Sequence, residues 1–320
     1  MKDELLDVPL INLIPYELNL PVGLIFILLP LASLVLKRYA RLLVGLSIVA
    51  YLGFLVFDIS RVTPYFICYL GMFYLLAVDG KPATHHLVLL ASGIYIFSGL
   101  HKLNDGFYDQ ILKGLWFYSI SDTPPTFLAT VAPLFEVMCG VGLYFKFSRR
   151  YAVYALIGLH VLLLWKLGPW KYNWNLIVWP WNFMMIVALI AILKQTSDFK
   201  GGSFKMNLST IPILLSFYLL PASSMFLPNL SNLGFQLYTG NVLYAELELP
   251  ITPADLEAFD RENDKSSTCL NLQLYSIRKR ELAVNAEPWV YRQIQRNFER
   301  YYQTTSSLQF FNNKFNSLEP

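Results

Sequence analysis

The chain has 320 residues, of which 55% are hydrophobic and 15% charged, and its mean hydropathy is +0.43. Soluble domains carry nearer a quarter charged residues, and here the apolar residues come in long runs, which is the pattern of a membrane protein. A net charge of +3 is too small for a nucleic-acid binder, and Cys68, Cys139 and Cys269 are widely spaced with no CxxC, which argues against a disulfide framework and a zinc site.

The N-terminus, MKDELLD, is acidic and lacks the basic region of a cleavable signal peptide. The first apolar segment is therefore expected to serve as its own insertion signal. Eight spans are predicted: Leu20–Leu36, Leu42–Phe57, Val62–Val78, Ala83–Leu103, Phe127–Phe145, Tyr151–Lys166, Trp174–Leu193 and Leu208–Leu227. Each is near the length that a hydrocarbon core of ~30 Å needs at ~1.5 Å per residue. Pro30, Pro64, Pro133, Pro180, Pro212 and Pro221 fall inside spans, which suits a packed bundle whose neighbours satisfy the freed carbonyls.

Loop charge predicts orientation. One set of loops holds Lys37, Arg38, Arg41, Lys81, Lys146, Arg149, Arg150, Lys194, Lys200 and Lys205. The other, with the N-terminus, holds only Lys2, Arg61, Lys102, Lys113, Lys166 and Lys171. The first set is expected to be cytoplasmic, with both termini outside. The short acidic N-terminus and small size point to a bacterial inner membrane.

The stretch Tyr95–Tyr118 closes the fourth span and continues as a half-polar, aromatic piece. Tyr95, Ser98 and Lys102 are spaced three and four apart, so they share a helix face. Lys102 is either an interfacial anchor whose stem snorkels or a desolvated general base. His101, His85 and His86 receive no role. In Asn104–Tyr118, Phe107, Ile111 and Leu115 repeat every four residues, as in a short amphipathic surface helix. It would act as a lid over a site or as an ordinary connection.

Glu136 and His160 lie midway in consecutive antiparallel spans, both roughly 14–15 Å deep at 1.5 Å per residue. Ionisable groups at that depth are functional candidates. A contact between them would fix the imidazole tautomer, or simply tie two helices together. Further on, Asn175, Trp179 and Asn182 share a face, and Asn182 lies deep enough to need a partner. Trp170 and Trp174 fit an interfacial belt, whereas Trp179 and Trp181 lie deeper. Aromatic walls with a few amides suit a flat apolar ligand such as a quinone, and core packing explains them as well.

The tail has ordinary polar composition. Phe235–Leu237 and Val242–Leu249 flank YTGN as a predicted hairpin. TPADLEAF offers Thr252 as an N-cap and Pro253 at the first helical position. A helix is predicted from Pro288, with Val290, Ile294, Phe298 and Tyr301 on one face.

Three of these stretches resemble a known family. SGLHKLND is similar to a glycine–x–x–lysine–leucine–acidic/amide stretch of the vitamin K-dependent gamma-carboxylases and their bacterial relatives, the horizontally transferred transmembrane domain (HTTM) family. FEVMCGVGLYFKFSRRYAVYALIGLH and DISRVTPYFICYL resemble two further segments of it, in the family's order, so the HTTM-like core covers about residues 58–182. DoxX-like membrane proteins share some of this character and are the rival family. The carboxylase resemblance implies a reduced quinone cofactor, with Lys102 as the base that deprotonates it and His160 and Glu136 lining the same cavity. It also implies exoplasmic chemistry, in agreement with the loop charges. The short tail departs from the large lumenal portion of the carboxylases, so carboxylation of protein glutamates does not carry over.

The expected fold is an all-α polytopic membrane bundle of about eight transmembrane helices, residues 1–228, followed by a small α+β extracytoplasmic C-terminal domain, residues 229–320. The expected function is a quinone- or lipid-binding enzyme with Lys102, His160 and Glu136 as catalytic residues. Tyr95, Ser98, Asn175, Trp179 and Asn182 would bind the cofactor, and no metal is involved. The alternative is a non-catalytic, DoxX-like subunit or scaffold that holds a lipid, or a protein partner through the C-terminal domain.

Overall fold

A computed structural model describes residues 5–6, 19–57, 64–79, 84–116, 123–168, 178–194, 208–226, 234, 239, 243–249, 269–273, 275–276, 287–312 and 315–318. Among them the chain is mostly helical, with one small sheet. Helices α1 (Asn19–Val35), α2 (Ala40–Phe57), α3 (Pro64–Asp79) and α4 (Thr84–His101) come first. A π-helical turn, Phe107–Leu112, then runs into α5 (Lys113–Leu115). Three more apolar helices follow, α6 (Leu128–Tyr144), α7 (Lys146–Leu167) and α8 (Val178–Lys194). The last, α9 (Thr210–Ser224), is widened by a π turn at Leu215–Leu219.

These apolar helices fall on the eight predicted spans. Among the described residues, α7 alone is long and apolar enough by itself to cross a membrane, and α6, α8 and α9 are apolar but shorter. Helix α7 starts earlier than predicted because the α6–α7 turn is a single extended residue, Phe145. Arg149 is fully buried there and donates from Nε to the Leu143 carbonyl (2.7 Å) and from Nη2 to that of Tyr144 (3.0 Å). It caps the C-terminus of α6, where a cation meets the negative end of the helix dipole.

Four helices close a ring, with α4 on α6, α6 on α7, α7 on α8 and α8 back on α4. Leu90, Leu143, Val153, Leu156, Met185 and Ile192 fill its core. Outside, Leu28, Val49, Met138, Val161, Phe183 and Leu219 stand exposed. Monomeric soluble proteins rarely leave so much apolar surface uncovered; a bilayer covers it. Helices α4 and α6 approach closely at two glycines. A Cβ on Gly99 would lie 2.6 Å from the Pro133 carbonyl oxygen, and one on Gly140 would lie 2.9 Å from Ile96. Small residues of this kind let helix backbones pack closely in membranes. Ser92 Oγ closes the contact by donating to the Gly140 carbonyl at 2.6 Å.

The polar tail forms an antiparallel sheet of order β2-β1-β3-β4, with β1 (Tyr244–Glu248), β2 (Cys269–Asn271), β3 (Ser307–Asn312) and β4 (Phe315–Leu318). Helix α10 (Pro288–Tyr302) covers it. Val290, Tyr291, Ile294 and Phe298 meet Ala245, Leu247, Leu270 and Phe310 in a second core, separate from that of the bundle. Strand β1 lies within predicted Val242–Leu249, but it pairs with the distant β2 and β3. The expected partner Phe235–Leu237 and the predicted helix start at Thr252 lie outside the described residues. Helix α10 begins at Pro288 as expected. Tyr301, however, is 41% exposed, and Tyr302 packs on the core instead. The i, i+4 step from Ile294 to Phe298 continues to Tyr302, so Tyr301 is turned away.

Leu5 and Leu6 from the N-terminus also enter this second core, and Asn297 Nδ2 donates to the Leu5 carbonyl at 3.2 Å. The domain is tied to one end of the bundle. Asn104, just past α4, donates from Nδ2 to the carbonyls of His101 (2.8 Å) and Thr239 (2.7 Å). His101 Nε2 meets the Pro221 carbonyl and Ser224 Oγ, both at 3.2 Å, so α9 ends beside α4.

Candidate functional site

At the Lys102 end of α4 the ring encloses a cavity of about 70 Å³. Tyr95 and Ser98 of α4 and Lys102, one residue past its end, face it, with Glu136 of α6, His160 of α7 and Asn182 of α8. The first three share a face because of their spacing. The α4–α6 approach through Gly99 brings Glu136 against that face.

Two polar groups result. In the outer one, Lys102 Nζ lies 2.5 and 2.7 Å from the Glu136 carboxylate oxygens and 3.1 Å from Ser98 Oγ. Ser98 Oγ also donates to Glu136 Oε2 at 3.1 Å. Both side chains of the ion pair are 12% exposed. An ammonium has three donors, and here three oxygens surround it. In the inner group, His160 lies 2.6 Å from Tyr95 Oη through Nε2 and 2.6 Å from Asn182 Oδ1 through Nδ1. The amide oxygen can only accept, so Nδ1–H donates to it and Nε2 accepts from the tyrosine hydroxyl. Tyr95, His160 and Asn182 are all buried.

The expected contact between Glu136 and His160 is not made. Glu136 pairs with Lys102 and Ser98, and Tyr95 takes the place beside His160. Trp179 does not line the cavity; its Nε1 donates to the Leu167 carbonyl at 3.2 Å. Trp181 lines it instead, edge-on to Tyr65 at 5.5 Å. Asn175 lies outside the described residues.

Tyr65 and Cys68 of α3 also line the cavity and were missed. Their three-residue spacing within an apolar span was the available signal. The predicted surface helix is the π turn followed by α5, in which Phe107 is buried and Leu115 packs on the bundle core. Lys166, counted above as a loop charge, is buried and donates to the Trp116 carbonyl at 2.6 Å, which fastens this segment to the end of α7.

The volume leaves room for a few waters or one small polar group. That is well below the ~300–1,000 Å³ of sites that bury a whole drug-sized ligand. Among the described residues, no cluster of His, Cys, Asp or Glu is placed to hold a metal ion.

A family model described as DoxX matches residues 87–167, about a quarter of the chain. The match runs from α4 through α7 and so covers Tyr95, Ser98, Lys102, Glu136 and His160, while Asn182 lies beyond it. It falls on the rival named from the sequence and lends no support to the carboxylase-like resemblance. No curated protein and no solved structure matches the chain. The DoxX match, the apolar helix α7 and the exposed apolar surface agree on a membrane protein in a lipid bilayer.

Proposed function

We propose that the chain is a multi-pass membrane subunit, DoxX-like from α4 to α7, whose helical ring holds the polar head of a small lipid-type molecule. One observation carries this reading. Each of the four ring helices turns polar side chains into a single cavity inside an otherwise apolar bundle. Polar groups at that depth are costly unless partnered. Here they satisfy one another while presenting edges to the cavity, which fits capture of a headgroup whose apolar remainder lies among the helices or in lipid.

A holding role is favoured over catalysis by Lys102. Its ammonium directs three protons at three oxygens, and a lysine base would first have to give one of those protons away before it could take another. In this reading the eight apolar helices cross the bilayer. The seating of Leu5 and Leu6 in the C-terminal core supports an even number of crossings.

A second reading, a quinone-linked enzyme of the carboxylase-like kind, draws on the Tyr95–His160–Asn182 chain beside the aromatic wall of Tyr65 and Trp181. That chain could pass a proton to a bound carbonyl oxygen.

The test is native mass spectrometry of gently solubilised protein, with released lipids identified, for the wild type, Asn182→Leu and Lys102→Arg. The wild type is expected to retain one defined species, Asn182→Leu to lose it, and Lys102→Arg to keep it. Release of bulk phospholipid alone from the wild type would sink the proposal. Chemical turnover of the retained species that stops in Lys102→Arg would favour the enzyme.

A further inference from the structure

Helix α10 carries a second pattern beside its buried face. Trp289, Arg292, Arg296 and Arg300 are all exposed. At ~3.6 residues per turn they fall within an arc of about 80°. Val290, Tyr291, Ile294, Phe298 and Tyr302 occupy the opposite side, against the sheet. The nearby acid, Glu299, forms no ion pair with the stripe. Glu299 Oε1 accepts from Ser306 N (3.0 Å), Ser306 Oγ (2.9 Å) and Gln295 Nε2 (3.3 Å). Arg292 Cζ sits 5.9 Å from the Phe310 ring. Among the described residues neither Arg296 nor Arg300 has an ion-pair partner. Trp289 is 46% exposed, a large indole left in the open.

The geometry points to a docking face for anionic phospholipid headgroups of the bilayer that holds the bundle. Three observations choose that occupant. The stripe itself holds three arginines and no acid, and guanidinium forks match phosphate oxygens. An exposed indole beside them is the side chain that membrane interfaces favour. The domain is also kept close to that surface by two tethers. One is the Asn104–Thr239 hydrogen bond, a few residues before β1, and the other is the Leu5–Leu6 segment ahead of α1. Such a face would fix the height and tilt of the domain over the Lys102 end of the ring. This inference needs the bundle to sit in a bilayer and does not depend on what the cavity holds.

The experiment uses the full chain in nanodiscs of phosphatidylcholine alone or mixed with phosphatidylglycerol, both brominated near the headgroup. The Trp289 signal is the wild-type fluorescence minus that of Trp289→Phe. It is expected to be quenched in anionic discs, to recover at 1 M salt where the screening length falls to ~3 Å, and to escape quenching when Arg292, Arg296 and Arg300 are all changed to Gln. Changing the three to Lys keeps the charges and is expected to keep the quenching. A thermal melt matching wild type shows that the Gln variant is folded, since the three positions are exposed. Equal quenching in wild type and the Gln variant would overturn the assignment. So would an unquenched Trp289 in both discs, and if polyglutamate then binds the wild type but not the Gln variant, the face belongs to an acidic protein.

Discussion

The bundle and the C-terminal domain solve the same problem in opposite senses. In the bundle, Met138 and Phe183 face outward while His160, Asn182 and Glu136 are turned in. In the domain, Arg296 and Arg300 face outward while Leu247, Ile294 and Phe298 are buried. The difference shows where each region draws its stability. Lipid is as apolar as a leucine core, so the bundle gains little from burying leucine and relies on close packing and interhelical hydrogen bonds. The domain relies on removing apolar area from water.

The sharpest way to break this comparison is Phe298→Ala. A large buried aromatic removed from a small core costs about 3–5 kcal/mol, enough to unfold the domain. Proteolysis and thermal melting should show that loss while the bundle stays folded. Loss of the bundle along with the domain would mean that the two regions are one cooperative unit.

Next in size is Lys102→Met. It leaves the Glu136 carboxylate without its cation in a site only 12% exposed. Breaking such a pair costs about 3 kcal/mol, largely through the charge left behind. Adding Glu136→Gln is therefore expected to recover most of the loss in a melt in detergent. If the double variant is no more stable than Lys102→Met alone, the orphaned charge is not the cause, and the bonds of Lys102 themselves hold the helices together at this end.

How much could be read from the sequence follows the same division. Lys102, Glu136, His160 and Asn182 were legible because polar residues in apolar runs stand out one at a time. Their partners were not, because pairing depends on how closely two helices approach. Nothing in the sequence says that a Cβ at Gly99 would meet the Pro133 carbonyl, yet that approach sets Glu136 on Lys102 rather than on His160. Trp179 and Trp181 looked alike in depth, and only the rotation of α8 puts Trp181 in the cavity wall. In the domain, the apolar face of α10 was legible from its helical spacing, whereas the partners of β1 were not, since they lie far along the chain. Leu5 and Leu6, two leucines in an acidic leader, gave no sign that they would seat in a core at the other end of the chain.

A third prediction concerns pH and applies to the domain alone. Glu287, at the start of α10, is buried, and burial pushes its carboxyl up from the usual 4.5 to about 7. The folded domain therefore holds this proton at pH values where the unfolded chain has released it. Stability from this group is full below about pH 4.5 and is lost as pH rises through about 7, a swing on the order of 3 kcal/mol. Glu287→Gln should flatten the pH dependence of the domain's melting transition. An unchanged slope would place the titration elsewhere.

The smallest expected effect is the most informative about the cavity. Tyr95→Phe removes the hydroxyl 2.6 Å from His160 Nε2 but leaves the bond from Nδ1 to Asn182 intact. A buried acceptor left unpaired costs about 1–3 kcal/mol. Here the acceptor faces a polar cavity with room for water, and a bridging water recovers most of a lost hydrogen bond. The melt is therefore expected to shift by only about 1 kcal/mol. Ligand retention should behave differently. A headgroup that shares the Tyr95 hydroxyl would compete with that replacement water and be released, so the variant should emerge folded and empty. If Tyr95→Phe instead keeps its lipid and loses stability by several kcal/mol, the Tyr95–His160–Asn182 chain is a structural tie between α4, α7 and α8, and the headgroup must rest on Lys102 and Glu136.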